Sequence, residues 1–103
     1  MKLDLDKFNR LFRYDPETGE ISYKTDGGQK NFGGRKVRAG DLATYRDKIG
    51  CLRVSLVKKG ININYEARRV AWLLYKGEDP GPFKVVGINC DLTDNRFKNL
   101  RLK

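Results

Sequence analysis

The sequence predicts a single small α+β domain, and three observations carry that prediction. Two stretches alternate apolar and polar residues about a turn, as antiparallel hairpins do. One almost continuous apolar run around Trp72 has the length of a helix buried at the centre of the domain. The chain of 103 residues has room for one modest core.

The elements follow in order. Leu5, Phe8, Leu11 and Phe12 fall at helical spacing between Asp4 and Phe12, with acidic residues at the start, where the helix dipole favours them. Phe12 to Asp15 and Glu20 to Lys24 flank the turn residues Pro16-Glu17-Thr18-Gly19 and read as a hairpin, so residues 1–26 form a helix and a hairpin. Residues 27–40 hold five glycines interleaved with Lys30, Arg35, Lys36 and Arg38 around a lone Phe32; no periodicity survives, and a mobile basic loop is expected. In residues 41–103 order returns. Leu52, Val54 and Leu56 alternate with Arg53 and Ser55, Lys58-Lys59-Gly60 makes a turn, and Ile61, Ile63 and Tyr65 alternate with Asn62 and Asn64. Glu66 to Lys76 switches to a helical pattern that Gly77 ends and that Pro80 and Pro82 keep from resuming. Trp72, with Val70 and Leu74, is expected in the core. Phe83 to Val86, a polar loop over 89–98 and a short strand over 99–103 complete the chain.

Charge speaks to partners. Twenty-two Lys and Arg against thirteen Asp and Glu leave +9, with no histidine. The usual partner of a small cationic domain is a polyphosphate backbone, DNA or RNA, because each cation that meets a phosphate releases counterions. No stretch approaches membrane-spanning length, no basic amphipathic helix has a wide apolar face, and the N-terminus lacks the pattern of a signal peptide, so no membrane partner is expected and the cytoplasm is the expected location. Cys51 and Cys90 fit no metal spacing and read as free thiols; no cofactor is expected. Candidate phosphate contacts are Lys30, Arg35, Lys36 and Arg38 in the Gly-rich loop, Lys58 and Lys59 at a hairpin tip, and Arg96, Lys98, Arg101 and Lys103 near the end. Phe32 is a candidate for base stacking or partner contact.

Two strings carry a resemblance. Tyr65-Glu66-Ala67-Arg68-Arg69-Val70-Ala71-Trp72 followed by Gly77-Glu78-Asp79-Pro80 resembles the Y-x-A-H-R-L-A-W…G-x-x-P segment of phage HNH endonucleases. Val86-Gly87-Ile88-Asn89-Cys90-Asp91-Leu92-Thr93-Asp94-Asn95-Arg96-Phe97-Lys98-Asn99-Leu100-Arg101 resembles that family's D-H-I-N-G-D-x-x-D-N-R-x-x-N-L-R. Leu11 to Gly19 is also similar to the start of such proteins. The resemblance implies a ββα-metal element in which the D-H pair supplies a metal ligand and the histidine that activates water.

The departures from that pattern shape the expectation of function. Val86 and Gly87 stand where the D-H pair belongs, Arg68 replaces a histidine, and the family's terminal helix with its further ligand lies past Lys103. A degraded HNH-like element lacking its last helix, no metal site, and a chain that is not an enzyme are therefore expected. Asp91, Asp94, Asn95 and Asn99 are expected to hold the loop in shape through their backbone neighbours. Three functions stay open: a non-catalytic module that binds nucleic acid or a host nucleoprotein complex, an inhibitor of a host defence nuclease or CRISPR-type complex, and a residual or truncated metal-dependent endonuclease.

Overall fold

The computed structural model describes residues 4–24, 38–58, 60–89 and 91–103, without the side chains of 57, 58 and 62. The loop residues Lys30, Phe32, Arg35 and Lys36, as well as Lys59 and Cys90, lie outside the described residues.

Helix α1 (Leu5–Leu11) begins at Asp4, whose carboxylate accepts from the Lys7 N–H at 3.2 Å. It stops because Phe12 is extended and opens β1 (Phe12–Tyr14), which pairs antiparallel with β2 (Ile21–Tyr23). A three-stranded meander follows: β3 (Thr44–Arg46), β4 (Leu52–Lys58) and β5 (Ile61–Glu66). The sequence alternation matches the register of the β4–β5 hairpin, with Val54 opposite Tyr65 and Leu56 opposite Ile63. Strand β3 was not anticipated, since it is defined by its pairing with β4 over Thr44–Arg46 and no apolar alternation marks it in the sequence.

Strand β5 runs directly into helix α2 (Ala67–Lys76). Gly77 ends the helix at φ +74°, and its N–H donates to the Leu73 carbonyl at 2.9 Å. The last pair, β6 (Val85–Gly87) and β7 (Leu100–Leu102), is antiparallel and closed by a 3₁₀ turn at Phe97–Asn99.

The core lies where α1, β1, β2, β4 and α2 meet. Phe8, Phe12, Ile21, Val54, Val70 and Leu73 are its largest fully buried apolar side chains. Val85 and Leu100 join it from the last ribbon. Trp72 and Leu74 are half-buried at its edge rather than central. The reason is helical geometry: consecutive residues point about 100° apart, so an unbroken apolar run cannot all face inward. Ala67, Val70, Ala71 and Leu73 take the inner stripe, while Trp72 covers Phe97 at 5.4 Å with the Lys76 ammonium over its ring.

Candidate nucleic-acid interface

Register decides what the last ribbon presents. Lys84 and Lys103 exchange backbone hydrogen bonds at 3.2 and 2.8 Å, and Val86 lies opposite Arg101. Residues directly opposite share a face, and faces alternate along a strand. Lys84, Val86, Arg101 and Lys103 therefore stand on one face, and Val85, Gly87, Leu100 and Leu102 on the other. Burial agrees for the inner pair: Val85 and Leu100 are buried, whereas Lys84, Arg101 and Lys103 are exposed. The outer face is a short cationic ribbon.

Beside it lies a cleft of about 330 Å³ between the start of α2 and β6. Arg68, Arg69 and Lys84 line it, with Glu66 as the opposing charge and Leu52 and Val86 among the apolar walls. Arg69 is committed to the scaffold, donating to the carbonyls of Phe83 and Gly81 and pairing with Asp79. Arg68 approaches the inner face of Gly87. A Cβ built at Gly87 would stand 3.5 Å from one terminal nitrogen of Arg68 and 3.1 Å from Asn99 Nδ2.

Asn99 fixes the 88–99 loop. Its Oδ1 accepts from the backbone N–H groups of Ile88 and Asn89 at 3.1 and 3.0 Å, and its Nδ2 donates to the Asp94 carbonyl at 2.9 Å. Asp94 accepts from Arg96 through both carboxylate oxygens, at 2.8 and 2.7 Å, and from Asn89 Nδ2 at 2.8 Å. These bonds, the one from Arg96 first, hold the Asp94 carboxyl far below the usual carboxylate range. Asp91 accepts from the Thr93 backbone and hydroxyl, which lowers its pKa as well.

Asn95 is buried on the other side of this loop, where its carbonyl accepts from the Tyr14 hydroxyl. Burial first, then the neighbouring Tyr75, Asp15 and Asp94, push the Tyr14 phenol above its ordinary value.

The sequence-derived candidates thus separate. Arg68 and Val86 line the cleft, while Gly87 and Asn99 lie outside its lining, packed close to the Arg68 guanidinium and to each other. Arg101 and Lys103 share the outer ribbon, and Lys98 is exposed in the 3₁₀ turn before it. Arg96 is bound to Asp94, and its cation is matched within the loop. Arg38 is exposed and remote in sequence from the ribbon, its backbone N–H donating to Asp41. Lys58 ends β4 at the far tip of the hairpin, about 20 Å of strand away from the start of α2. Lys84 escaped the sequence reading. The alternation of Lys84, Val85 and Val86 was available, but its meaning depends on pairing with residues 101–103.

Comparisons with known proteins bear on this arrangement. Residues 65–103 match the family model for HNH endonuclease. The whole chain superposes on a structure titled "DNA binding and cleavage by the HNH homing endonuclease I-HmuI", with a TM-score of 0.60 and 17% identity. All of this chain is covered but 52% of that one, so the chain spans about half the length of the protein it matches. No curated protein matches. Fold and segment together define an HNH nuclease-like domain. Residues 65–103, about two-fifths of the chain, are similar to the HNH endonuclease family.

This overturns the expectation that the chain is not an enzyme, since the family match and the endonuclease fold both point to a nuclease. The residues at the D-H positions nevertheless do not fit the metal of that resemblance. Val86 and Gly87 offer no donor, and among the described residues no group of three or more His, Cys, Asp or Glu is placed to hold an ion.

Proposed function

We propose that this domain acts on DNA as an HNH-type nuclease module, holding the phosphate backbone against the outer face of the β6–β7 ribbon. The observation that carries the reading is the one-sided placement of Lys84, Arg101 and Lys103, next to the cleft that contains Arg68. A ribbon with its cations on one face and its apolar side chains in the core can meet a polyanion without disturbing the fold. Contacts of this kind position a backbone and carry little sequence information. The net charge of +9 adds long-range attraction. Phosphodiester hydrolysis is the reaction class to which the family relationship points.

Two measurements test the proposal. Duplex DNA should be retained at low salt and released steeply as salt rises. Supercoiled plasmid incubated with magnesium or manganese should be nicked, and chelator should stop the nicking if a metal takes part. Negligible affinity for duplex, single strand and RNA at low salt would overturn the DNA-binding reading. Binding without nicking under any metal condition would overturn the nuclease reading and leave the binding surface standing.

A further inference from the structure

A groove of about 380 Å³ runs between β1 and the C-terminal end of α2. It shares no lining residue with the cleft at the start of that helix, which lies about 10 Å away along the axis. Three features there point to a ligand. The first is an aromatic ring held ready. Tyr75 is 51% exposed, yet its ring is stacked on Phe97 at 4.0 Å and meets the Tyr14 ring edge-on at 6.3 Å. Tyr14 is itself fixed, its hydroxyl donating to the Asn95 carbonyl. Tyr75 lines the groove and Phe97 does not, so the face of Tyr75 away from Phe97 is the one turned to the groove. The second feature is charge. Arg13 and Lys24 line the groove, and no acidic residue does. Lys24 is held by its bond to the Asn9 carbonyl at 2.6 Å and keeps two further protons; Arg13 makes no side-chain bond among the described residues. Asp15 and Asp94, whose charges reach the Tyr14 phenol, are occupied elsewhere: Asp15 accepts from the Glu17 and Thr18 N–H groups, and Asp94 holds Arg96. The third feature is an open strand edge. Tyr23 donates to Asp41 and accepts from Gly40, and Ile21 accepts from Ala43, so both turn their backbone groups away from β1. Their partners Phe12 and Tyr14 must turn theirs the opposite way. The Phe12 N–H is used by the Phe8 carbonyl, but the Phe12 carbonyl and the Tyr14 N–H meet no backbone partner among the described residues. Both residues line the groove.

We propose that this groove binds one unpaired nucleotide of a single-stranded nucleic acid, with its base on the free face of Tyr75 and its phosphates on Arg13 and Lys24. The proposal uses a surface separate from the β6–β7 ribbon and does not depend on hydrolysis. Stacking on an aromatic ring accepts any base, since every base has a π face. The Tyr14 N–H and the Phe12 carbonyl offer the base edge one donor and one acceptor, and the Asn9 carboxamide beside them carries both kinds of group. Lys76, whose ammonium lies over the Phe97 and Trp72 rings, adds positive charge behind Tyr75. A closed duplex cannot use the groove in this way, because its bases are already stacked and paired and extruding one costs free energy. An acidic peptide would find the two cations and the strand edge, but it has no flat base to lay on Tyr75, so the ordered ring favours the nucleotide.

The test uses the full chain in chelator and a short labelled oligothymidylate, followed by fluorescence anisotropy and NMR. A strand of equal length made of abasic sites carries the same phosphates without the bases. Oligothymidylate should bind more tightly than the abasic strand and should shift the Tyr75 ring and Tyr14 amide resonances saturably. Tyr75→Ala should lose about tenfold in affinity for oligothymidylate and nothing for blunt duplex. Tyr75→Phe keeps the ring and should bind as wild type does, which keeps the test decisive if the alanine variant is unstable without its stack on Phe97. Arg13→Gln should keep the wild-type thermal midpoint and lower the salt slope for the single strand by about 0.7. An abasic strand bound as tightly as oligothymidylate, or a stably folded Tyr75→Ala that binds like wild type, would overturn the nucleotide groove. Displacement of oligothymidylate by a polyglutamate peptide at equal charge concentration would also overturn it and mark an acidic protein partner instead. If oligothymidylate binds through Tyr75 while duplex DNA is neither bound nor nicked, the proposed function falls and the groove survives. If duplex DNA is bound and nicked while Tyr75→Ala leaves single-strand binding unchanged, the groove falls and the proposed function survives.

Discussion

Asn99 uses both ends of its carboxamide on backbone groups ten and eleven residues away and on Asp94, and it does so while buried. Alanine there would leave the Asn89 N–H without this acceptor and the Asp94 carbonyl without this donor, while the Ile88 N–H keeps the Asn99 backbone carbonyl at 2.8 Å. An unsatisfied buried polar group costs about 1–3 kcal/mol, so Asn99→Ala should destabilise the domain by about 2–4 kcal/mol in urea unfolding. Asn99→Asp, which keeps the acceptor and loses the donor, should cost less. Asp94 gives the loop a pH dependence whose sign follows from its lowered pKa. A carboxyl held below its unfolded value, near 3.9, contributes stability that is complete above that value and is lost as the pH falls towards its folded pKa. The difference in urea midpoint between wild type and Asp94→Asn should be constant from pH 7 to 5 and shrink below about pH 4. At this scale Asp91 and Asp94 were legible as loop-formers, because their carboxylates accept from backbone N–H groups two residues on, whereas Asn99 reaches ten and eleven residues back and the buried Asn95 Oδ1 has no partner among the described residues. Arg96 was not legible as an internal partner, since a cation in a basic tail looks the same whether it faces solvent or Asp94.

Elements with a clear period were legible: α1, the β1–β2 hairpin, the β4–β5 hairpin and α2 lie close to where alternation and helical spacing put them. What the pattern could not show is how separate elements lean on one another. The β1–β2 turn docks on the 94–97 loop, where the Phe97 N–H donates to the Pro16 carbonyl at 3.0 Å and Tyr14 reaches the Asn95 carbonyl. Gly19 permits this approach. Its φ is +81°, and a Cβ there would stand 2.5 Å from backbone atoms of Asn95 and Arg96. In Gly19→Ala a left-handed penalty of about 1–2 kcal/mol adds to overpacking of about 1–3 kcal/mol, a total of about 2–5 kcal/mol. Gly77→Ala is the contrast. The backbone is again left-handed, at φ +74°, but nothing lies within 4 Å of the added carbon, so only the conformational cost of about 1 kcal/mol should appear. Denaturant midpoints of the two variants, measured side by side, check the difference. Equal effects would mean that the hairpin does not press on the loop as described.

Across the whole molecule, the excess of positive charge is visible in the sequence, but which cations act together is not, because that depends on the pairing of two three-residue strands. Pairing puts Lys84, Arg101 and Lys103 on one face, and the fold binds Arg96 to Asp94. This division of labour predicts unequal contributions to the salt dependence of DNA binding. Each phosphate neutralised by a cation adds about 0.9 to the slope of log affinity against log salt. Replacing Lys84, Arg101 and Lys103 together by glutamine should therefore lower the slope by about 2–3 and weaken binding most at low salt. Arg96→Gln removes the same formal charge per residue but breaks a contact inside the fold, so it should alter the slope by well under one and show its effect in urea stability instead. Lys48→Gln, in the turn between β3 and β4, is the control for the general field of the molecule, and it should leave both the slope and the stability nearly unchanged. If all five substitutions lowered the slope by the same amount per charge, binding would depend on net charge alone and the ribbon would have no special part in it.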